Sequence, residues 1–228
     1  MAQDNDINSM KNEDQKLNET TEVANKILKG QKAIMWIIGV LAVIVCLILI
    51  YIFAIRRPGV QAADEAVGQA DMTMMTGNDS IALAQYRQVA DNYGYEGGNR
   101  AHLNAAILLY QDGKYEEAIS YLKKYNPTEK IIGASSQSLE GDCYVNLKEY
   151  QKALDCFKKA IKLSDDNPAL TPLFMLKAAT VLREMKDYKG EAEMYRELQK
   201  EFPNFEAQSQ VEVSKYLKRA ELQSEETK

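Results

Sequence analysis

Apolar positions along this chain change their spacing twice. Residues 1–32 are polar and of mixed charge, and residues 33–55 read AIMWIIGVLAVIVCLILIYIFAI, with no charged residue and no Asn, Gln, His or Pro. From residue 56 onward, apolar side chains recur at intervals of three and four, broken by short polar turns. The middle stretch, Ala33 to Ile55, holds 23 residues. As a helix it would be about 34 Å long, enough to cross a hydrocarbon layer of roughly 30 Å with some tilt. Trp36, Tyr51 and Phe53 stand near its ends, Lys32 precedes it, and Arg56 and Arg57 follow it, as interfacial anchors do. A cleaved signal has an apolar region of only about 7 to 15 residues behind a short basic leader, so this stretch reads as a retained anchor.

The three- and four-residue spacing after Pro58-Gly59 predicts helix hairpins, and no run alternates long enough to predict a strand. The hairpins repeat. DGKYEEAISYLKKY (112–125), NLKEYQKALDCFKKA (146–160) and EMKDYKGEAEMYREL (184–198) each place Lys just before a Tyr that opens a helix: Tyr115, Tyr150 and Tyr188. Seven residues later come Leu122, Phe157 and Tyr195, and a weaker earlier copy has Ala82, Tyr86 and Val89. Small residues mark where helices must touch: Ala106 with Ala118, then Gly141 with Ala153, flanked by the large Leu109, Leu122, Tyr144 and Phe157 and by Ala160. Helix axes approach to about 8–10 Å only where side chains are small. In the last copy the second small position falls on Glu191 beside Ala192, so either that helix rotates or the terminal repeat is looser. Phe202-Pro203 closes the array, and Glu206 to Leu222, with Val211, Tyr216 and Leu217, predicts one amphipathic capping helix.

A two-helix unit near 34 residues resembles the tetratricopeptide repeat. The expected fold is all-α: a single N-terminal transmembrane helix (33–55) between a polar tail (1–32) and a helical solenoid (56–228) of about four helix pairs plus a cap. The resemblance implies a concave face lined by the first helix of each pair. By repeat offset its inner positions are Arg100, Leu103, Tyr110 and Gln111, then Ser138, Asp142 and Asn146, then Thr180, Arg183 and Glu184. Leu103 and Ile107 replace the basic and Asn residues that clamp a C-terminal carboxylate in chaperone-binding relatives. Such a mixed groove suits an extended or helical polypeptide segment.

Candidate chemistry is sparse. His102 is the single histidine, sits at an ordinary packing position, and has no neighbours at metal-ligand spacing. Gly94, Gly97 and Gly98 lack the Gly-Lys-Ser/Thr of a phosphate loop and read as a helix connection. Asp165-Asp166 reads as a helix end. No cofactor, metal site or enzymatic activity is expected. Cys46 lies in the anchor, while Cys143 and Cys156 are either buried free thiols or, in an oxidising compartment, a pair.

Charge alters the picture little. The chain carries 28 basic and 33 acidic side chains, five and six of them in the tail. The remainder has no basic footprint, so nucleic acid is not an expected partner. Lys26, Lys29 and Lys32 slightly outweigh Arg56 and Arg57, favouring a cytoplasmic N-terminus. Residues 1–19 are expected to be disordered. Val23, Ile27 and Leu28 mark either a surface helix or a solvated extension.

Tail, anchor and repeats together, with GDCYVNLKEY (141–150) and PLFMLKAATVLREMKDYKGEAEMY (172–195), resemble the YfgM-like ancillary subunits of the SecYEG translocon in their Bacteroidetes form. The resemblance implies a single-pass protein of the bacterial inner membrane, with the repeat domain in the periplasm. Its implied partners are translocon subunits, periplasmic chaperones or unfolded client chains. A structural scaffold for cell-envelope assembly or cell division is the alternative.

Overall fold

The computed structural model describes residues 35–226, and every described element is helical. The polar tail, Ala33 and Ile34 lie outside them. Two compact units meet in sequence at Pro58 and Gly59.

In the first unit, α1 (35–50) passes into a π-helical turn, Tyr51–Arg56. The large apolar side chains of α1 are all exposed, Trp36 by 76%. This helix is long and apolar enough to cross a membrane. Arg57 places its guanidinium 4.6 Å from the centre of the Phe53 ring.

The second unit is four hairpins and a cap. The hairpins are α2 (Arg57–Met75) with α3 (Asp79–Asn92), α4 (Glu96–Gln111) with α5 (Tyr115–Leu122), α6 (Lys130–Asn146) with α7 (Tyr150–Ser164), and α8 (Thr171–Glu184) with α9 (Tyr188–Glu201). The three repeated tyrosines are the first residues of α5, α7 and α9. Inside each hairpin the chain reverses through one left-handed residue: Gly77, Gly113, Lys148 or Lys186, with φ between 60° and 78°. The backbone N–H of the following residue reaches back to the first helix, as from Lys114 to the Leu109 carbonyl (2.8 Å) and from Glu149 to that of Tyr144 (2.9 Å). This bond ends a helix without leaving a carbonyl unpaired. The sequence did not reveal α2, whose buried stripe is only Ala63, Val67 and Ala70.

Small residues sit where expected. Ala106, Ala118 and Ala153 are fully buried, as are Ala70, Ala82 and Ala179 in the outer hairpins. A Cβ on Gly141 would stand 2.6 Å from the Phe157 ring. Gly97 and Gly98 lie in the first turn of α4 rather than in the connection before it, and a Cβ on Gly97 would meet the Ala63 backbone at 2.6 Å. Gly97 lets α2 and α4 touch, while a Cβ on Gly98 would meet the Tyr93 carbonyl at 1.8 Å. Asp165 and Asp166, both at positive φ, end α7.

Two expectations need correction. The cap is two helices, α10 (Phe205–Ser209) and α11 (Val213–Glu226), separated by the left-handed Gln210. Ser209 turns its hydroxyl onto the Phe205 carbonyl (2.7 Å), and the Glu206 side chain accepts from the Ser214 hydroxyl (2.7 Å) at the start of α11. Local polar bonds thus win over the amphipathic period. Glu191, in turn, is neither displaced nor loosely held: it is fully buried and ion-paired to Arg219 of α11. One carboxylate oxygen has no hydrogen-bond partner, and burial raises its pKa against the pull of Arg219.

Candidate inner face of the helical array

The first helices α4, α6 and α8 carry the ten residues assigned to the inner face, and about half of these are engaged within the domain. Arg100 binds Asp71 of α2 at 2.6 Å. Asp71 also accepts from the Tyr86 hydroxyl (2.6 Å) and from Asn104 (3.1 Å). Burial, reinforced by this carboxylate, drives the Tyr86 pKa far above its usual range.

Between α4 and α6 the link is Tyr110, whose hydroxyl meets Asn146 and the field of Asp142; burial first, then Asp142, raises its pKa. Its ring lies 5.6 Å from Tyr115. Asn146 also donates to the Asp142 carbonyl at 2.9 Å. Between α6 and α8, Lys177 reaches Asp142 (2.5 Å) and the Ser138 hydroxyl (3.1 Å). Ser138 is therefore buried, not open to a ligand. Desolvation still outweighs the ammonium and raises the Asp142 pKa.

Three cross-helix links (Asp71–Arg100, Tyr110–Asn146, Asp142–Lys177) thus join the helices to which the inner face was assigned. Asp71, Asn104 and Lys177 were not singled out in the sequence. The repeat offset that gave Arg100 and Asp142 also reaches them, but their pairing depends on how one hairpin stacks on the next. Gln111 and Thr180 are exposed and Leu103 half-buried. Thr180 returns its hydroxyl to the Leu176 carbonyl (2.9 Å), and Arg183 pairs with Glu184 (3.5 Å).

Elsewhere the reactive groups are quiet. His102 tilts against Tyr121 with ring centres 5.8 Å apart, and burial lowers its pKa. Cys143 and Cys156 are buried and free, their pKa values pushed up by burial to about 12 and about 11. Among the described residues no three His, Cys, Asp or Glu side chains gather as metal ligands do.

Comparison with known proteins agrees with this architecture. Three family descriptions of the tetratricopeptide repeat match residues 77–128, 134–167 and 174–204. No curated protein sequence matches significantly. Among solved structures, MamA is similar at 20% identity with a TM-score of 0.51, over 69% of this chain and 95% of its own. The apo form of RapI is similar at 16% identity and a TM-score of 0.53, over 71% and 68%. The Cut9–Hcn1 tetramer of the APC/C is similar at 18% and 0.51, over 68% of this chain and 29% of its own. At these identities the likeness is one of fold alone. No enzymatic family is indicated, and the matched segments identify the second unit as an array of tetratricopeptide repeats, a protein-interaction module.

Proposed function

We propose that this chain is a membrane-tethered receptor for polypeptide segments, held by its apolar helix beside the Sec translocon and the periplasmic chaperones that meet emerging chains. The observation that carries the polypeptide reading is the internal neutralisation of the inner face. Asp71 is taken by Arg100, and Asp142 by Lys177. What remains for a ligand is Leu103 and Gln111, with Thr180, Arg183 and Glu184 at the far end. Among the described residues, Arg100, Lys177 and Arg183 each already face a carboxylate, so this surface suits a segment that offers apolar side chains and backbone amides better than a free carboxylate. Tethering raises the effective concentration of partners in the same membrane, so weak contacts suffice. The arrangement proposed is a cytoplasmic N-terminus and a periplasmic array, as in the YfgM-like proteins the sequence resembles.

A photo-crosslinker at Gln111, used in intact membranes, is expected to capture translocon or chaperone subunits. Capture confined to cell-division or envelope-assembly proteins would replace this reading with that of a structural scaffold.

A further inference from the structure

Of the ten large apolar side chains that the repeat unit leaves exposed, four fall within ten residues at the turn between α2 and α3: Met72, Met74, Met75 and Ile81. Single exposed apolar residues are ordinary on a protein surface, whereas a contiguous group marks a binding surface. Met74 turns its sulfur toward the Tyr86 hydroxyl (3.8 Å). Met72 and Met75 do not turn inward. They are 69% and 84% exposed and lie one turn apart, on the side of α2 away from its buried stripe of Ala63, Val67 and Ala70. The hydroxyls beside them are engaged locally, Thr73 on the Gln69 carbonyl (3.0 Å) and Thr76 on the Thr73 carbonyl (2.7 Å).

The surrounding charge has one sign. Between Gly59 and Tyr86 the chain carries Asp64, Glu65, Asp71 and Asp79 and no Lys, Arg or His. The arginines of α3 and α4 are already matched, Arg87 with Glu117 and Arg100 with Asp71. Asp64, Glu65 and Asp79 are exposed and make no ion pair among the described residues. At 3.6 residues per turn, Asp64, Glu65, Gly68, Met72 and Met75 share one face of α2, spread over about 100°. Gly68 leaves a notch in that face, since nothing lies within 4 Å of its Cβ position. The outer face of a terminal repeat is ordinarily polar, which keeps the end of an array soluble. Here it joins two methionines to two free carboxylates.

We infer that this face of the first hairpin is a docking surface for a cationic amphipathic helix of a partner protein. A helix brings apolar anchors on one side with charges beside them, and packs on α2 as helices pack on one another. The unbranched, polarizable methionine side chains adapt to the apolar anchors. Asp64, Glu65 and Asp79 favour lysine and arginine beside those anchors and repel an acidic segment. The face belongs to α2 and α3, not to α4, α6 and α8, so the inference does not rest on the receptor reading of the inner face.

The test uses the full chain in phosphatidylcholine nanodiscs and a fluorescein-labelled leucine–lysine peptide patterned as an amphipathic helix. Empty discs measure what lipid alone retains. Anisotropy should show binding above that level, weakening as salt rises, and none for a leucine–glutamate peptide of the same pattern. Met72→Gln with Met75→Gln should weaken binding by at least about ten-fold through lost apolar contact. Asp64→Asn, Glu65→Gln and Asp79→Asn together should weaken it by about five-fold and flatten the salt dependence. All five positions are exposed, and circular dichroism checks that the variants stay folded. Peroxide oxidation, followed residue by residue by mass spectrometry, should slow at Met72 and Met75 when the peptide is added, while Met185 keeps its rate. No binding beyond that of empty discs, or equal binding by the methionine variant, would overturn the docking surface. Equal binding of the leucine–glutamate peptide would overturn the choice of a cationic partner. If Met72 and Met75 oxidise as slowly as the buried Met175 before any peptide is added, lipid or a second copy already covers them and the inference fails.

Discussion

At Gly141 the backbone of α6 runs against the ring of Phe157, which would lie only 2.6 Å from an added Cβ. Gly141→Ala should therefore destabilise the domain by about 1–3 kcal/mol through overpacking. That corresponds to a loss of roughly 2–4 °C in melting temperature per kcal/mol for a domain of this size. Gly68 in α2 is the control, since nothing lies within 4 Å of its Cβ position. There the same substitution should add about 0.5–1 kcal/mol by removing backbone freedom from the unfolded chain. Calorimetry on the two variants separates close contact from helix propensity. Lys148 and Lys186 hold left-handed turns that Gly77 and Gly113 hold without strain. Lys148→Gly and Lys186→Gly should each raise stability, by up to about 1 kcal/mol.

Where one helix meets the next, buried charge takes over from small side chains. Glu191 occupies the position that is Ala82, Ala118 and Ala153 in the other hairpins. It is tolerated because α11 brings Arg219, which also lies 5.3 Å from the ring centre of Tyr216. Arg219→Leu strands the carboxylate and should cost about 3 kcal/mol, whereas the double change Glu191→Ala with Arg219→Leu should cost less. A double-mutant cycle in urea measures the difference. Burial raises the folded-state pKa of both Glu191 and Asp142. Their contribution is thus complete below the ordinary carboxylate pKa and is lost as pH rises through the folded values. Lowering pH from about 7 to about 5 should raise the melting temperature, and Glu191→Gln with Asp142→Asn should flatten that slope.

The same elements define what sequence could reveal. The Lys-Tyr turn pattern exposed three hairpins because turn chemistry is local. The alanine stripe of α2 carries too little contrast to stand out, and the break at Gln210 depends on two serine hydroxyls finding local partners. Inner-face residues were placed by offset, but their engagement was not legible: Arg100 and Lys177 meet carboxylates 29 and 35 residues away.

For the whole molecule, the decisive contrast is between two apolar surfaces. The large side chains of α1 are exposed throughout, whereas the repeat unit buries a core that includes Tyr86, Leu109, Phe157 and Met175 and leaves others, such as Met72, Met75, Ile81 and Ile131, exposed. A chain beginning at Gly59 retains every residue of the three apolar clusters. It should therefore be soluble, helical by circular dichroism, and unfold with at most the partial cooperativity of a stacked array, in which each hairpin is stabilised by its neighbours. The full chain, by contrast, should stay with the membrane pellet after carbonate, since an apolar helix of this length leaves lipid only at great cost. Ending the shortened chain at Asn204 removes Phe205 and Val213 from the cluster around Met175 and Tyr195. That should lower the stability of the fourth hairpin selectively, because a terminal repeat loses its only outer neighbour while the first three keep theirs. Hydrogen exchange reads this directly: amides of α8 and α9 should exchange faster while those of α4 to α6 keep their rates. A uniform loss of protection along the array would mean that the hairpins fold as one unit, and that the cap supports them all.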